Sequence, residues 1–379
     1  MKKYIIYFII FLLLAIGLMV ILNRVSNKNL DHPVITEVSS TKDKEIVVNN
    51  ISPQIVAQDL EIPWDIAFLP DGRLLVSERI GRLSIITLVG TKKIIHEQTV
   101  RETGEGGLLG IVLHPDFLIN NYIYLYFTSP PDSGETKNRI ERYQLVNDQL
   151  TDRLVLLDDI PGAIYHDGGR MEFGPDGFLY VTTGDATRPQ IAQDKNSLGG
   201  KILRLNDDGS IPLNNPFTNA IYSFGHRNPQ GLAWDTAGRL WSTEHGRSGL
   251  TSGLDEINLI KLGGNYGWPD SEGDKVKAGT EAPILHSGSD VTWAPASAAF
   301  LENRLFFGAL AGEALYEARL SNGEIVELKR HFYQQYGRIR TVKVGPDGWL
   351  YLLTSNRDGR GRIQVGDDKI IRLDPASLK

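Results

Sequence analysis

The stretch Gly169-Arg-Met-Glu-Phe-Gly-Pro-Asp-Gly-Phe-Leu-Tyr-Val181 consists of two apolar segments joined by a Pro-Asp-Gly turn. In such a turn, proline presets φ and glycine accepts a positive φ. Similar strips recur to give six in all, and the other five begin at Trp64, Gly107, Pro229, Ala294 and Arg340. A strand–turn–strand unit cannot bury its faces alone, so units of roughly 45–60 residues predict an all-β, six-bladed β-propeller.

The composition of the chain agrees with a turn-rich β protein and excludes several kinds of chemistry. The 379 residues include 39 glycines, and the formal net charge is −6, which does not suggest a nucleic-acid-binding surface. No cysteine is present, so disulfides, thiolate metal sites and cysteine nucleophiles are excluded. The strips extend from about Ile51 to the C-terminus, which predicts one propeller domain over residues 51–379.

The N-terminus differs from the rest of the chain. Lys2 and Lys3 precede a charge-free apolar run from Tyr4 to Leu22, which is long enough to span a bilayer. We expect one hydrophobic helix in residues 1–24, acting as an uncleaved signal anchor or, alternatively, as a cleaved signal peptide. Residues 25–50 then form a flexible tether. The lysines place the propeller outside the cytoplasm, in the periplasm or at the cell surface.

The richest polar segment surrounds the Pro-Asp-Gly turn at residues 175–177. His166 lies just before one predicted strand and Asp185 just after the next, so an antiparallel hairpin would bring both to one rim. A carboxylate beside an imidazole fixes its tautomer and stabilises the cation that forms when it accepts a proton. The pair therefore indicates a general base, although a loop histidine and an Asx-turn aspartate would give the same sequence.

Three other segments carry candidate ligand-binding groups. Arg227, in Gly225-His-Arg-Asn-Pro-Gln-Gly, could place a permanent cation over the axis. The carboxylates and glycine-rich turns that follow Thr243 offer hard oxygen ligands, so calcium is plausible, although no compact calcium-loop motif is present. Arg338 and Arg340 alternate along one strand face and could hold an anion, or could pair with acidic neighbours. Trp268 and Trp349 are expected to pack between strands.

Together these segments resemble the soluble aldose sugar and glucose dehydrogenases that use pyrroloquinoline quinone. The resemblance covers most of the chain after residue 50. The motifs that carry it occur in order: Gly104-Glu-Gly-Gly-Leu-Leu-Gly-Ile-Val-Leu-His-Pro-Asp-Phe, the block from His166 to Asp185, Gly225-His-Arg-Asn-Pro-Gln-Gly, Asp255-Glu-Ile-Asn-Leu-Ile and Gly263-Gly-Asn-Tyr-Gly-Trp-Pro. That family is a six-bladed propeller, in agreement with the strip count.

The resemblance implies a catalytic role for three residues. His166 matches the general base that takes the proton from the sugar hydroxyl, and Asp185 matches the carboxylate that orients it. Arg227 matches the arginine beside the quinone carbonyl. The implied reaction is oxidation of an aldose at its anomeric hydroxyl to the lactone, with electrons passing to an unknown acceptor.

The resemblance also implies cofactor and metal ligands. The positions that match cofactor contacts are Asn228, Thr292, Arg338 and Arg340, in addition to Arg227. Gly246 and Arg247 match the place where two backbone carbonyls hold Ca²⁺. Glu256 and the carbonyl of Tyr266 match a second, structural calcium site.

Three positions depart from the family pattern. Glu105 stands where the best-known members have a glutamine on the cofactor, and a carboxylate there would repel an anionic quinone unless calcium or arginine offsets it. Ala311 replaces a lysine that some members place on a cofactor carboxylate, and Asp290 replaces an aromatic residue that covers the cofactor. These departures leave two alternatives open: a membrane-tethered propeller that binds sugar or protein without catalysis, and a calcium-dependent lactonase.

Overall fold

The computed structural model describes residues 53–130, 135–249 and 252–378. In these ranges, 24 strands form six antiparallel four-stranded sheets, which confirms the predicted six-bladed β-propeller. The hydrophobic helix predicted in residues 1–24 and the tether predicted in residues 25–50 lie outside the described residues. Among the residues that are described, no helix has both the length and the apolar character needed to cross a membrane.

The strand bounds follow the strips. The first half of the ring comprises β1 Gln54–Ala57, β2 Pro63–Phe68, β3 Leu74–Glu78, β4 Arg82–Ile86, β5 Lys92–Glu97, β6 Leu108–Leu113, β7 Tyr122–Ser129, β8 Lys137–Val146, β9 Gln149–Pro161, β10 Met171–Phe173, β11 Leu179–Thr183 and β12 Lys201–Leu205. The second half comprises β13 Ile221–Phe224, β14 Pro229–Trp234, β15 Leu240–Glu244, β16 Glu256–Ile260, β17 Leu285–His286, β18 Pro295–Leu301, β19 Arg304–Ala309, β20 Ala314–Ser321, β21 Glu324–His331, β22 Ile339–Val344, β23 Leu350–Thr354 and β24 Ile370–Leu373. Three short helical turns cover Phe117–Asn120, Pro189–Ala192 and Pro375–Ser377.

The ring is closed by strands from both ends of the described chain. Five blades are built from four consecutive strands, whereas the sixth has the order β1-β24-β23-β22. In this blade Gln54 pairs with Arg372 and Ile55 with Ile371. The innermost strands β2, β6, β10, β14, β18 and β22 each contact the next one around the axis. The β1–β24 hydrogen bonds therefore hold the two ends of the propeller together in one blade.

The turns between first and second strands all lie on one face of the propeller. In each of four blades a glycine N–H donates to the carbonyl three residues earlier at 2.9 Å, and the glycine has a positive φ; these are Gly72, Gly177, Gly238 and Gly348. We call this side the turn face. The loops that enter the innermost strands lie on the opposite side, which we call the site face, because it carries the candidate catalytic residues.

Burial explains why the second strand of a blade is often a nearly continuous apolar run. Strand β11 is buried along its whole length, as are β3 and β15, because neighbouring blades cover both of their faces. Outer strands such as β9 are largely exposed and rich in polar residues. Large aromatic side chains fill the space between blades and have almost no exposed surface; they include Tyr124, Tyr126, Phe127, Trp241, Phe306 and Phe307. This packing gives the loops of the site face a rigid support.

Candidate active site

His166 and Asp185 meet on the site face, as the hairpin argument requires. Their Nδ1 and Oδ1 atoms are 2.7 Å apart, His166 precedes β10, and Asp185 follows β11. The backbone permits this approach at Gly184, where a Cβ atom would lie only 1.9 Å from the His166 carbonyl oxygen. His166 itself has φ +65°, a left-handed conformation that is uncommon outside glycine and often marks functional sites.

The hydrogen bonds of Asp185 assign the proton on His166. Asp185 is 1% exposed, and its carboxylate accepts from His166 Nδ1, so the neutral imidazole carries its proton on Nδ1. The lone pair then lies on Nε2, which has no protein hydrogen-bond partner in the described part of the chain. A polar group that approaches Nε2 therefore meets an oriented proton acceptor.

Arg227 lies beside this pair with its charge incompletely compensated. Its carbonyl accepts from the Asp185 N–H at 2.8 Å, which fixes the two loops together. Its guanidinium donates to Ser248 Oγ at 2.9 Å and to the His245 carbonyl at 3.4 Å, and it lies 5.4 Å from the Trp268 ring centroid. No carboxylate forms an ion pair with it among the described residues, and burial lowers its pKa from the usual arginine value.

Arg338 and Arg340 differ sharply despite their alternation in sequence. Arg338 forms an ion pair with Asp358 at 2.7 Å and donates to the Leu310 carbonyl. Arg340 is 6% exposed, donates to Gln230 Oε1 at 3.0 Å, and leaves its buried Nε without a partner. Burial and the positive charge of Arg338 lower the pKa of Arg340 to about 9, against the opposing effect of Asp358. Arg340 is therefore the better anion-binding candidate.

Glu105, one of the three departures from the family pattern, is held by a backbone N–H group and a guanidinium group. Its carboxylate accepts from the His166 backbone N–H at 2.9 Å and pairs with Arg360 at 3.1 Å. Burial alone would raise the pKa of Glu105, but His245, the His166 N–H and Arg360 outweigh it and lower the pKa to about 2. Arg360 thus offsets the negative charge that the sequence analysis identified as an obstacle to an anionic quinone.

The remaining predicted cofactor positions lie on the same site face but differ in the chemical groups that they offer to a ligand. Asn228 is fully buried, and its side-chain oxygen accepts from the Gly168 N–H and from Gln230, so its amide is largely used within the protein. Thr292 hydrogen-bonds to the Ser252 hydroxyl. Ala311 is exposed and contributes only a backbone N–H to the Trp293 carbonyl. Asp290 is also exposed.

Most of the predicted metal ligands surround one small cavity of about 20 Å³. Gly246, Glu256 and Tyr266 line it together with Glu244 and Glu272. Burial and the charges of Glu244 and Glu272 raise the pKa of Glu256 to about 7. Arg247 lies on the adjoining turn, where its N–H and carbonyl face Gly253.

Within the described ranges, no group of three or more histidine and acidic side chains is arranged to hold a metal ion. A cation at this cavity would therefore need backbone carbonyls among its ligands.

Several site residues were not predicted from sequence. His245 has a buried Nε2 without a partner, and burial lowers its pKa to about 3, so it is neutral at physiological pH. Asp255 accepts from the Gly246, Trp293 and Ala294 N–H groups and so joins two loops of the mouth; its position in a quoted motif was the available signal.

Trp268, which we expected to pack between strands, also donates its indole N–H to Asp185 Oδ2 at 2.8 Å. This hydrogen bond was not predicted from sequence. Arg360 and Trp268 reach the site from distant positions in the chain, and no local pattern indicates either contact.

The site thus combines an oriented histidine with buried cations that form no ion pair within the described residues, an arrangement typical of enzymes. The comparison with known families gives the particular class. The chain belongs to the glucose/sorbosone dehydrogenase family, whose model matches residues 60–365. The resemblance stated from the sequence motifs is thereby confirmed, and the protein is an enzyme of the sugar dehydrogenase class.

Individual relatives agree in sequence and in fold. Aldose sugar dehydrogenase YliI of Escherichia coli K12 is 32% identical, with 82% of this chain and 91% of the relative covered. Quinoprotein glucose dehydrogenase B of Acinetobacter calcoaceticus is 35% identical over 61% of this chain and 55% of its own length. The structure of a PQQ-bound aldose sugar dehydrogenase from Streptomyces coelicolor superimposes with a TM-score of 0.79 at 40% identity, covering 85% of this chain and 96% of that one.

Proposed function

We propose that this protein oxidises an aldose sugar at its anomeric hydroxyl to the lactone, with pyrroloquinoline quinone and Ca²⁺ as cofactors. The observation that carries the proposal is the meeting of His166 and Asp185 beside the uncompensated guanidinium groups of Arg227 and Arg340. The S. coelicolor relative, similar over its whole propeller, binds the same quinone. A sugar oxidation needs both a proton acceptor and a hydride acceptor, and the chain itself offers only the first.

The donor set at the mouth fits a quinone that carries several carboxylates. Buried N–H groups without partners are rare in folded proteins, and at a site they are available to bind a ligand or a water molecule. Here Arg340 Nε and Arg79 Nε are such groups, and both residues are at most 7% exposed. A buried charge without a partner is unfavourable, so an anion here would be stabilised by cations that the protein leaves incompletely paired. Arg338 contributes less, because Asp358 already neutralises it.

The small cavity near the mouth fits a calcium ion in donor type. Glu256, Gly246 and Tyr266 line the cavity, so one carboxylate and two backbone carbonyls would be the oxygen donors for the ion. The raised pKa of Glu256 reflects repulsion by Glu244 and Glu272, which a divalent cation would relieve. A volume of about 20 Å³ exceeds the ~10–15 Å³ that one water-sized particle requires.

In this reaction, His166, Asp185 and Arg227 each have a separate role. His166 Nε2 takes the proton of the anomeric hydroxyl, while Asp185 holds the Nδ1 proton and stabilises the resulting imidazolium. The guanidinium of Arg227 stabilises negative charge that develops in the transition state. When bound, the quinone supplies a hydride acceptor and Ca²⁺ supplies Lewis-acid polarisation. The aldose loses one proton and one hydride and leaves as the lactone.

The cellular setting remains part of the proposal and rests on sequence alone. Lys2 and Lys3 followed by the apolar run from Tyr4 to Leu22 support a propeller that is outside the cytoplasm and anchored by its N-terminal segment. The partner that accepts the electrons is a separate, unidentified molecule.

The proposal is tested by calorimetry of the apo-protein with pyrroloquinoline quinone, with Ca²⁺ and with a chelator. We expect saturable binding that depends on Ca²⁺, followed by aldose-dependent reduction of an artificial dye. If no heat of binding is found in excess Ca²⁺, the dehydrogenase assignment fails and a non-catalytic sugar- or protein-binding propeller is favoured. A lactonase would instead hydrolyse lactones with Ca²⁺ alone.

A further inference from the structure

The carboxylate of Asp185 is held by more than its histidine partner. Oδ1 faces His166 Nδ1 at 2.7 Å and also accepts from the Thr187 N–H at 2.8 Å. Oδ2 accepts from the indole Nε1–H of Trp268 at 2.8 Å, and no other described group donates to that oxygen. The indole thus determines which way the second carboxylate oxygen points, and with it the orientation of the oxygen that faces His166.

Trp268 is itself fixed from several sides. Its N–H donates to the Gly225 carbonyl at 2.9 Å, and its own carbonyl accepts from Gln193 Nε2 at 2.7 Å. Gln193 also pairs with Asn265 through two hydrogen bonds of 3.0 Å. The indole ring lies 5.4 Å from the guanidinium carbon of Arg227, within the range of a cation–π contact. Trp268 therefore touches both the carboxylate of the base and the catalytic cation.

The turn that carries Gln193 is anchored by a buried lysine. Lys201 has no exposed surface, and its ammonium donates to the carbonyls of Ile191, Ala192 and Gly199 at 2.8, 3.0 and 2.6 Å. Lys201 thus fixes the backbone next to Gln193, and hydrogen bonds connect Gln193 to Trp268 and Trp268 to Asp185. This arrangement has the form expected of a device that holds a catalytic carboxylate in one orientation.

We propose that Trp268 is a positioning residue for the His166–Asp185 base, acting through its indole N–H, with Gln193 as its support. The inference rests on the proposed function, because it assumes that His166 takes a proton from substrate. Trp268 touches neither the reacting atoms nor His166 itself. Its effect should therefore be seen in the chemical step and not in sugar binding.

The test compares two tryptophan-to-phenylalanine variants in the full chain. Trp268→Phe removes the N–H that reaches Asp185 and keeps an aromatic ring near Arg227. Trp241→Phe is the matched control, because the fully buried Trp241 donates its indole N–H to Asp235 Oδ2 at 2.9 Å, far along the blade towards the turn face. We expect W268F to lower kcat by about 10- to 100-fold, the cost of a hydrogen bond to a charged group, with sugar KM changed less than about threefold. W241F should lower the thermal midpoint and leave kcat unchanged.

The pH profile gives a second readout that a merely structural role would not move. Loss of the indole donor makes the Asp185 carboxylate a stronger base and favours the imidazolium, so the acid limb of kcat/KM should move to higher pH in W268F. The other charged or titratable groups that face His166 are Glu105 and His245, with Arg227 beside Asp185, and none of them is altered by the substitution.

A second variant tests the support of the indole without changing the indole itself. Gln193→Leu leaves the indole intact and should give a smaller loss of kcat in the same direction. If W268F is folded by its thermal midpoint and binds quinone, but shows wild-type kcat and pH profile, the inference is overturned. If His166→Ala also retains full turnover, the proposed function has failed instead. Loss of kcat in W268F together with an equal loss in W241F would likewise overturn the positioning role.

Discussion

The two ends of the propeller axis are built from the same six innermost strands but treat charge in opposite ways. At the turn face, Lys343 pairs with Glu172 at 2.7 Å. Deeper along the axis, Lys343 also lies 3.6 Å from Asp65, which pairs with Arg170 at 2.6 Å. Burial opposes the charge of Lys343, but Asp65 and Glu172 outweigh it and raise its pKa. At the site face, Arg340 and Arg227 are buried with lowered pKa values and no ion pair within the described residues.

This difference suggests that the ion pairs at the turn face serve stability, whereas the arginines at the site face serve ligand binding. At the turn face, the charged side chains pair with one another. The cavity of about 440 Å³ on that side is lined mainly by apolar residues from all six innermost strands. Cations without ion-pair partners at the site face lower the stability of the protein and favour the binding of an anionic ligand. We therefore expect ligand binding and reaction at the site face.

The largest expected effect comes from removing the base at the site face. His166→Ala should lower kcat by about 10²–10⁴, the usual contribution of a general base, while quinone binding by calorimetry stays intact. His114→Ala is the matched control, because His114 follows β6 at the turn face. It should retain normal turnover. Full activity in H166A would show that the site face is not the reacting end.

The second test compares the two arginines of the last blade. Arg340→Met should weaken quinone binding by at least about 30-fold, since truncating one partner of a buried charge pair costs about 2–5 kcal/mol. The apo-protein should lose no stability, because an uncompensated charge is removed. Arg338→Met should weaken quinone binding less and destabilise the apo-protein, because Asp358 loses its partner. If the two substitutions had equal effects on quinone binding and on urea unfolding, the proposed difference between a paired Arg338 and an unpaired Arg340 would be wrong.

The third test removes one partner of the ion pair at the turn face. Lys343→Met leaves Glu172 without its ion-pair partner, and we expect a loss of about 3 kcal/mol in the free energy of unfolding. Turnover at saturating cofactor should remain unchanged. The double variant K343M/E172Q should recover most of the lost stability, because it removes both charges. A K343M protein with wild-type stability but reduced kcat would reverse the assignment of the two ends.

The sequence predicted the fold better than the site, for physical reasons. Pro-Asp-Gly turns and apolar alternation are local signals, so the blades and the meeting of His166 with Asp185 across one hairpin followed directly. The Glu105–Arg360 pair spans 255 positions and the Trp268–Asp185 bond spans 83, and no local pattern encodes such contacts. The sequence allows either arginine of the last blade to pair with an acidic neighbour, and alternation alone does not show that Arg338 pairs with Asp358 while Arg340 has no such partner.

The smallest expected effect concerns Glu256 at the wall of the small cavity. Its pKa is raised from the usual 4.5 to about 7, so between these values the folded apo-protein binds more protons than the unfolded chain. Its contribution to stability is therefore present at low pH and is lost as pH rises from about 5 to 8, by about 2 kcal/mol. Urea unfolding in chelator should show this decline, and Glu256→Gln should flatten it. The exposed Glu324→Gln should not alter it. Excess Ca²⁺ should stabilise the wild type more at pH 8 than at pH 5, because the ion replaces the proton. An unchanged slope in E256Q would place the acidic group responsible elsewhere and remove the support for calcium at this cavity.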